Sequence, residues 1–368
     1  MKKTLIIIII TVLTILTIYF PSQYTAIAAI TGVCSNCHTM HNSQNGTSMN
    51  FDGSDIENEL LLRSDCLGCH AMGIAQNIDP VTGTPQVSHT AAIDLAAGNF
   101  AYITGAKSRV TADQNTAGHN VTVLGAAYNE TVLTIPPGGQ HPGVDVKDNF
   151  RCAGKYGCHG IRLDDSKSSL QQLKGAHHSN IDGKCDIADQ NYNSYRFLLG
   201  VKGLENTTDR WLNKDGNSHN EYFGANTPMS GAGCGECHRP RDMAVVPANN
   251  TISGFCGTCH GVFHWLDDTF WGGGGIGGNT SSPFIRHPTD VILPNSGEYS
   301  AYTAYSTEAP IARTTVFDVP SNTVSPGTDV VMCLSCHAAH ATPYADILRW
   351  DYSDMIAGDS SKSGGCFT

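Results

Sequence analysis

Residues 34–41 read Cys34-Ser-Asn-Cys37-His38-Thr-Met-His41. Two thiols separated by two residues can form thioether bonds with the two vinyl groups of one haem, and His38, the next residue, is then placed to ligate the iron. The further histidine, His41, needs a different iron. A single C-x-x-C could equally be half of a zinc site or a redox disulfide.

The same pattern occurs five times in the chain. Every C-x-x-C is followed directly by histidine, which covalent haem requires and zinc or redox sites do not. The further copies are Cys66, Cys69 and His70; Cys234, Cys237 and His238; Cys256, Cys259 and His260; and Cys333, Cys336 and His337. The repetition predicts five c-type haems, each with a proximal histidine.

A sixth, looser site lies in the middle of the chain. Five residues separate Cys152 from Cys158, and His159 stands in the ligand position. We expect a sixth haem c here, because a longer loop can still bring two thiols to the vinyl groups. The alternative is a structural disulfide, with Cys185 as a candidate partner, and His159 as an ordinary surface residue.

The chain stops shortly after another cysteine, Cys366, which follows Cys333 by 33 residues. Cys366-Phe-Thr has the form of a haem motif without its final Cys-His. We interpret it as a lost seventh site; the alternative is a cysteine that forms a disulfide or stays free.

The N-terminus predicts export. Lys2 and Lys3 precede an apolar run at 5–20, and residues 26–28 supply a small-x-small cleavage site. We expect cleavage after Ala28 and no retained membrane span; the alternative is a retained anchor, which needs about 20 apolar residues. Loss of both lysines lowers the formal charge from −11 to −13. Such a charge makes nucleic acid an unexpected partner and suits basic redox proteins or metal cations.

Composition predicts the fold class. With 39 glycines, 16 prolines and 40% hydrophobic residues, the chain has little conventional core material for its length. Covalently pinned macrocycles can supply apolar surface instead. We expect a multihaem cytochrome c fold: mostly irregular chain, with short helices and a few small β-strands packed around a chain of covalently bound haems. Candidate strands lie at 121–124 and 131–135, and a helix or strand is expected near 195–199.

Motif spacing divides the chain into sections. We expect a signal peptide at 1–28, a paired-haem section at 29–145, a middle section at 146–232, a second paired-haem section at 233–290 and a C-terminal haem section at 291–368.

The histidine count favours electron transfer over catalysis. Of 16 histidines, six follow the second cysteine of a motif, which leaves ten, more than six distal positions need. A haem with two axial histidines exchanges electrons only, whereas a catalytic haem keeps one position open. His41, His264 and His340 lie three or four residues after a proximal histidine. They cannot easily reach the other side of the same haem, so each is expected to ligate a neighbouring iron.

Backbone context adds one more distal candidate, His287, because the following proline favours an extended conformation that can push an imidazole towards an iron. An exposed turn histidine is the alternative. Acidic pairs at 164–165 and 267–268 do not follow calcium-loop spacing and are interpreted as solvated loop charges.

The motifs at 34–43 and 333–341 resemble those of the multihaem cytochromes of metal- and sulfate-reducing bacteria, including extracellular hexahaem cytochromes that polymerise into conductive filaments. The resemblance implies that the histidine after Thr-Met and the one in Arg-His-Pro are distal ligands, which supports His41 and His287. It also makes Gly118-His119-Asn120 a distal-ligand site. Five histidines therefore rank behind these candidates: His89, His141, His177, His178 and His219.

These observations predict an exported multihaem c-type cytochrome, periplasmic or extracellular, that carries electrons along closely spaced bis-histidine haems in respiration. The expected partners are redox proteins or extracellular electron acceptors, and a bolder version is a self-assembling filament subunit. We expect electron transfer and no enzymatic activity. The alternatives are a multihaem reductase of a small oxyanion with one open haem, and a structural protein whose thiols form disulfides or zinc sites.

Overall fold

A computed structural model describes residues 33–44, 46–51, 53–134, 136–137, 146–161, 168–173, 183–187, 190–209, 211–226, 250–260, 263, 289–356, 359 and 364–365. Several sequence predictions lie outside these residues. One is the whole third C-x-x-C-H motif, so the haem predicted at Cys234, Cys237 and His238 stays a prediction. The others are the signal peptide, the distal candidates His264 and His287, and Cys366, together with His141, His177, His178 and the acidic pairs.

Short helices form at the cysteine motifs, as the sequence predicts. The α-helices in the described ranges are α1 (Cys66–His70), α2 (Ala101–Thr104), α3 (Ile252–Gly257) and α4 (Cys333–Cys336). Two of the motif helices begin at polar caps: the Asp65 carboxylate accepts from the N–H groups of the first turn of α1, and the Thr251 hydroxyl accepts from Gly254 N–H in α3. Such caps satisfy N–H groups that have no partner inside the helix.

Single 3₁₀ turns form most of the remaining helical structure. They comprise Cys34–Asn36, Glu59–Leu61, Gln114–Thr116, Thr122–Leu124, Ala126–Tyr128, Leu170–Gln172, Asn191–Asn193, Tyr195–Phe197, Gly297–Ala301, Ala345–Ile347 and Tyr352–Asp354. The strand predicted at 121–124 is therefore wrong. The backbone there closes a turn with a Gly125 N–H to Thr122 O bond of 3.0 Å, which overrides the local β-branched pattern. Residues 131–134 also form no strand.

The β-strands are two or three residues long. β1 (Ser43–Gln44) and β2 (Thr47–Ser48) form an antiparallel hairpin. A six-stranded sheet has the order β3-β4-β5-β7-β8-β6, and only its β5–β7 pair is parallel. Its strands are β3 (Lys184–Cys185), β4 (Gly203–Leu204), β5 (Glu221–Phe223), β6 (Val291–Ile292), β7 (Ala312–Arg313) and β8 (Val330–Val331). The predicted mixture of irregular chain, short helices and small strands is confirmed.

The sheet joins the haem motifs to a small apolar core. Tyr222 and Val330 from the sheet pack with Phe255 of α3 and Leu334 of α4. Ser253 Oγ also accepts a 3.1 Å hydrogen bond from Cys333 N–H, so these two motif helices contact each other directly. The strands of the sheet belong to the predicted middle and C-terminal sections. The division of the chain into sections stays a prediction.

A buried charge network lies in the same sheet. Arg313 is 3% exposed and lies 3.0 Å from Glu221 Oε2 and 2.5 Å from Asp329 Oδ2. Burial raises the pKa of Glu221, but the hydrogen bond from His219 and the Arg313 guanidinium outweigh it and hold that pKa below its usual value. The pairing offsets part of the cost of burying these charges.

Among the described residues, no helix is long and apolar enough to cross a membrane.

Candidate haem sites

The C-x-x-C-H turns share one hydrogen-bond pattern. In the first turn, the N–H groups of Cys37 and His38 both donate to Cys34 O, at 3.1 and 2.9 Å. In the turn that starts at Cys256, the N–H groups of Cys259 and His260 donate to Cys256 O in the same way, at 3.0 and 2.9 Å. Residues four apart on such a turn share a face, so the first cysteine and the histidine are presented together.

The longer motif at Cys152 closes in the same way. The N–H groups of Cys158 and His159 both donate to Cys152 O, at 3.1 and 2.9 Å, although three more residues lie between the cysteines. The extra residues form a turn in which a Cβ on Gly157 would lie 2.6 Å from the Ala153 backbone. Glycine is therefore required at this close approach. The geometry around the histidine is that of the shorter motifs.

The Cys152 thiol forms no disulfide, so neither Cys158 nor Cys185 is bonded to it. Cys185 is buried in β3, and its thiol donates to Gly183 O at 3.6 Å. The structure thus gives no support to the disulfide alternative at this motif.

Each proximal histidine that the structure describes has its Nδ1–H directed at a backbone carbonyl. The five bonds are His38 to Leu60 at 3.3 Å, His70 to Pro85 at 2.8 Å, His159 to Arg196 at 2.9 Å, His260 to Pro137 at 2.6 Å and His337 to Asp346 at 2.8 Å. A carbonyl can only accept, so Nδ1 carries the proton and Nε2 of the neutral ring carries the lone pair. This second contact is the usual way in which a metal-ligating imidazole is held in orientation.

Three of these carbonyls belong to strained backbone. Leu60, Arg196 and Asp346 have φ of 58°, 49° and 57°, and the residue after each is also left-handed. A left-handed residue other than glycine costs roughly 1–2 kcal/mol. Six of the eleven described non-glycine residues with positive φ fall in these three pairs. Their clustering at histidine contacts indicates that the strain has a role at the site.

The distal candidates His119 and His340 lie on neighbouring segments. His119 N–H donates to His340 O at 2.9 Å, and His119 Nδ1–H donates to Ala339 O at 2.6 Å. A Cβ on Gly118 would come 2.6 Å from the Ala341 Cβ and 2.7 Å from His340 O. The Gly-His-Asn sequence is thus explained by close backbone contact, which only glycine allows.

Two imidazole pairs have the spacing of axial ligands. A metal–imidazole bond is about 2.0 Å, so two rings on opposite sides of one metal have centroids about 6 Å apart. The ring centroids of His159 and His340 are 6.2 Å apart, and those of His119 and His260 are 6.1 Å apart. Each pair joins a proximal histidine to a predicted distal one from another part of the chain.

The pocket between these rings favours neutral imidazole. Burial lowers the pKa of His340 to about 3, with the neighbouring His159 and His119 adding to the effect. Burial likewise lowers the pKa of His70 and of His119. Metal binding needs the neutral ring. In the described region His340 Nδ1 is also buried with no hydrogen-bond partner, which is costly for a polar atom unless a ligand binds that nitrogen.

His89 and His219 have other roles. His89 is 3% exposed, and its Nδ1 accepts from Ala91 N–H while Asn99 Nδ2 lies 3.3 Å from its Nε2. The fully buried His219 stacks on Tyr305 at 3.6 Å and donates from Nε2 to Glu221 at 3.0 Å. Both rings thus make polar contacts within the fold, and their low rank as haem ligands stays a prediction. His41 is exposed, and its ligand role stays a prediction.

Consecutive motifs contact one another through their thiols. Interaction with Cys152 lowers the pKa of Cys66. Burial and the neighbouring Cys37 raise the pKa of Cys69 to about 12. Contact with Cys333, which has the largest effect, and burial together raise the pKa of Cys256. Cys158 also interacts with Cys256. Among the described motifs, the first contacts the second, the second contacts the long motif at Cys152, and the motif at Cys256 contacts the one at Cys333.

The motif at 234–238 is the one C-x-x-C-H copy whose geometry lies outside the described residues. Attachment of a haem to Cys234 and Cys237, with His238 as its proximal ligand, therefore rests on the sequence pattern alone. In the neighbouring motif of the same section, Cys256 and Cys259 are both half-buried.

Sequence reasoning missed the residues whose carbonyls hold the histidines. A weak signal exists, because the strained pairs at 60–61, 196–197 and 346–347 are each followed by leucine, and two of those leucines by arginine. The leucines form β-bridges with the motifs: Leu62 with His38, Leu198 with Gly160 and Leu348 with His337. A backbone carbonyl carries no residue-type signature, so the sequence alone does not identify this role.

No protein-family model and no curated protein sequence matches the chain. Two solved structures are similar to it. One is described as "Outer Membrane Cytochrome S Filament from Geobacter Sulfurreducens", with 18% identity over 88% of this chain and 85% of that chain and a TM-score of 0.48. The other, "Cryo-EM of the OmcS nanowires from Geobacter sulfurreducens", has 18% identity over 87% and 84%, with a TM-score of 0.46. The sequence identities and TM-scores are low, so the assignment of the sites rests on the residues of this chain.

Proposed function

We propose that this protein is an exported multihaem c-type cytochrome that transfers electrons between bis-histidine haems. The observation that carries the proposal is the pairing of His159 with His340 and of His119 with His260 at the spacing of axial ligands. Covalent haem would supply one-electron exchange at iron. The chain supplies thiols for attachment and imidazoles for both faces.

Two filled axial positions leave no place for a substrate at the metal. His159 and His340 would hold the iron between them, and Phe100 stacks on His340 with centroids 4.6 Å apart, which keeps the ring in place. At these pairs the arrangement favours electron transfer over reduction of a small oxyanion. His41, His264 and His287 are proposed as the corresponding distal ligands at other haems.

The contacts between motifs support electron transfer between the haems of neighbouring motifs. Cys37 contacts Cys69, Cys66 contacts Cys152, and Cys256 contacts Cys333. Macrocycles attached to adjoining turns would lie close together, so electrons would need to cross only short gaps between them.

The proposal includes a sixth haem at Cys152, Cys158 and His159. It is supported by the two hydrogen bonds to Cys152 O and by the Arg196 carbonyl, which holds His159 as other carbonyls hold the proximal histidines of the C-x-x-C-H motifs.

We further propose a location outside the cytoplasmic membrane, with redox proteins or extracellular acceptors as partners, and self-assembly into filaments. The support is the N-terminal sequence and the motif resemblance at 34–43 and 333–341. Electron microscopy of the secreted protein tests assembly: filaments are expected, and only dispersed particles at high concentration would contradict this part.

Intact-mass measurement of the mature protein tests the proposal as a whole. The expected mass is that of the chain from Ala29 plus six covalent haems. A mass without added haem would contradict the proposal and favour the disulfide or zinc alternative. A mass with five haems would contradict the assignment of one haem site only. Peptide mapping would then show whether the missing haem is the one at Cys152 and Cys158 or the one at Cys234 and Cys237.

A further inference from the structure

The three strained residue pairs at 60–61, 196–197 and 346–347 form the same contact with three different motifs. The carbonyl of the first residue accepts from the proximal histidine Nδ1–H. The carbonyl of the second accepts from the N–H that follows that histidine: Thr39 to Leu61 at 2.7 Å, Gly160 to Phe197 at 2.7 Å and Ala338 to Ile347 at 3.0 Å. Two consecutive carbonyls thus contact each histidine ring and the backbone N–H of the residue after it.

The side chains of the pairs have nothing in common. They are Leu-Leu, Arg-Phe and Asp-Ile, and the first residue is exposed in two of them, with Leu60 at 59%. Arg196 instead pairs with Glu205 at 2.8 Å. The shared feature is the backbone conformation, with φ between 49° and 60° at all six residues.

A left-handed β-branched residue such as Ile347 is a rare outlier. Left-handed residues lie beside the histidine contact at two other motifs as well. This repetition indicates that the conformation has a benefit at the site that offsets its strain. Turning two successive peptide groups by this conformation aims the first carbonyl at the histidine ring and the second at the N–H of the residue that follows the histidine. The other two described motifs reach their histidines with proline carbonyls, Pro85 and Pro137, and without such a pair.

We infer that the left-handed pairs are positioning elements: each holds a carbonyl on the proximal Nδ1–H of its motif, as the two prolines do elsewhere, and adds a second carbonyl that fixes the backbone beside that histidine. Through the first contact each pair lowers the reduction potential of the haem at its motif. A carbonyl held against Nδ1–H makes the imidazole a stronger electron donor, which stabilises ferric iron. This inference rests on the proposed function. The described haem motifs then fall into two groups: three whose histidine contacts the carbonyl of a left-handed residue, and two whose histidine contacts a proline carbonyl.

The test compares two substitutions at one position. Asp346→Gly permits the left-handed conformation without strain, whereas Asp346→Pro fixes φ near −65° and forbids it. Both remove the same exposed side chain. Haem number by mass, potentiometric titration and electron paramagnetic resonance are measured on each full-length holoprotein.

We expect Asp346→Pro to keep the haem number and shift the potential of one haem upwards, with a changed low-spin signal for that haem alone. Asp346→Gly should keep every potential and raise the unfolding midpoint. Unchanged potentials in Asp346→Pro, or equal shifts in both variants, would overturn the inference. Absence of covalent haem in the unmodified protein would instead overturn the proposed function. If Asp346→Pro does not accumulate, Leu60→Pro and Leu60→Gly decide by the same criteria at the first motif.

Discussion

The imidazole of His340 lies 6.2 Å from that of His159, centroid to centroid, although His340 follows the proximal histidine of a different motif by three residues. A histidine so close to its own proximal ligand cannot cross to the opposite face of the same macrocycle. On the proposed function it would instead ligate the haem at the neighbouring site, and one short segment would then couple two haem motifs.

Replacement of His340 tests this coupling. His340→Ala should open one axial position and give one haem equivalent of high-spin signal that binds cyanide, while the number of covalent haems stays the same. The control is His89→Gln, because His89 is also buried but both of its ring nitrogens have polar contacts within the fold. A His340→Ala protein that remains entirely low-spin would rule out His340 as a ligand.

The long motif makes a prediction about haem number. Cys152→Ala together with Cys158→Ala should lower the intact mass by one haem in addition to the side-chain change, because both attachment bonds are lost. Cys185→Ser should retain every haem, since the Cys185 thiol contacts Gly183 O in the sheet and is not bonded to Cys152. If Cys185→Ser lost one haem and the double variant kept all of them, Cys152 and Cys158 would not be the attachment site.

Gly118 controls the placement of both distal segments. Gly118→Ala places a methyl group against Ala341 and His340 O, and we expect a loss of about 1–3 kcal/mol in unfolding free energy from overpacking. It should also produce high-spin haem, because His119 and His340 move apart from their partners. Gly105→Ala is the control: its methyl meets open space, but φ of 77° costs roughly 1–2 kcal/mol. Equal spectra for the two variants would contradict a specific role for Gly118.

Glu221 makes a prediction about acid stability. Its folded pKa lies below the unfolded value of about 4.3. The carboxylate therefore contributes stability above that pH, and this contribution is lost as the pH falls through the folded pKa. Glu221→Gln should cost about 3–5 kcal/mol at pH 7, because it removes one partner of a buried pair. Denaturant unfolding from pH 7 to 3 should show the difference from the unmodified protein narrowing below about pH 4.3; a constant difference would refute the linkage.

Much of the site can be predicted from the sequence because covalent attachment requires fixed residue types at fixed spacing. The motifs at Cys34, Cys66, Cys256 and Cys333 form short turns as expected, and His119 and His340 lie beside proximal histidines. The carbonyls of Leu60, Pro85, Pro137, Arg196 and Asp346 could not be predicted, because their role depends on backbone geometry. The six-stranded sheet escaped prediction for a related reason: strands of two or three residues are too short to show alternation.

The most direct test of the proposed function is electron paramagnetic resonance of the oxidised, full-length holoprotein, recorded with and without cyanide. Bis-histidine ligation at every haem predicts only low-spin ferric signals and no change on cyanide addition. A high-spin signal of one haem equivalent or more in the unmodified protein, converted by cyanide, would contradict it and favour a haem with an open axial position.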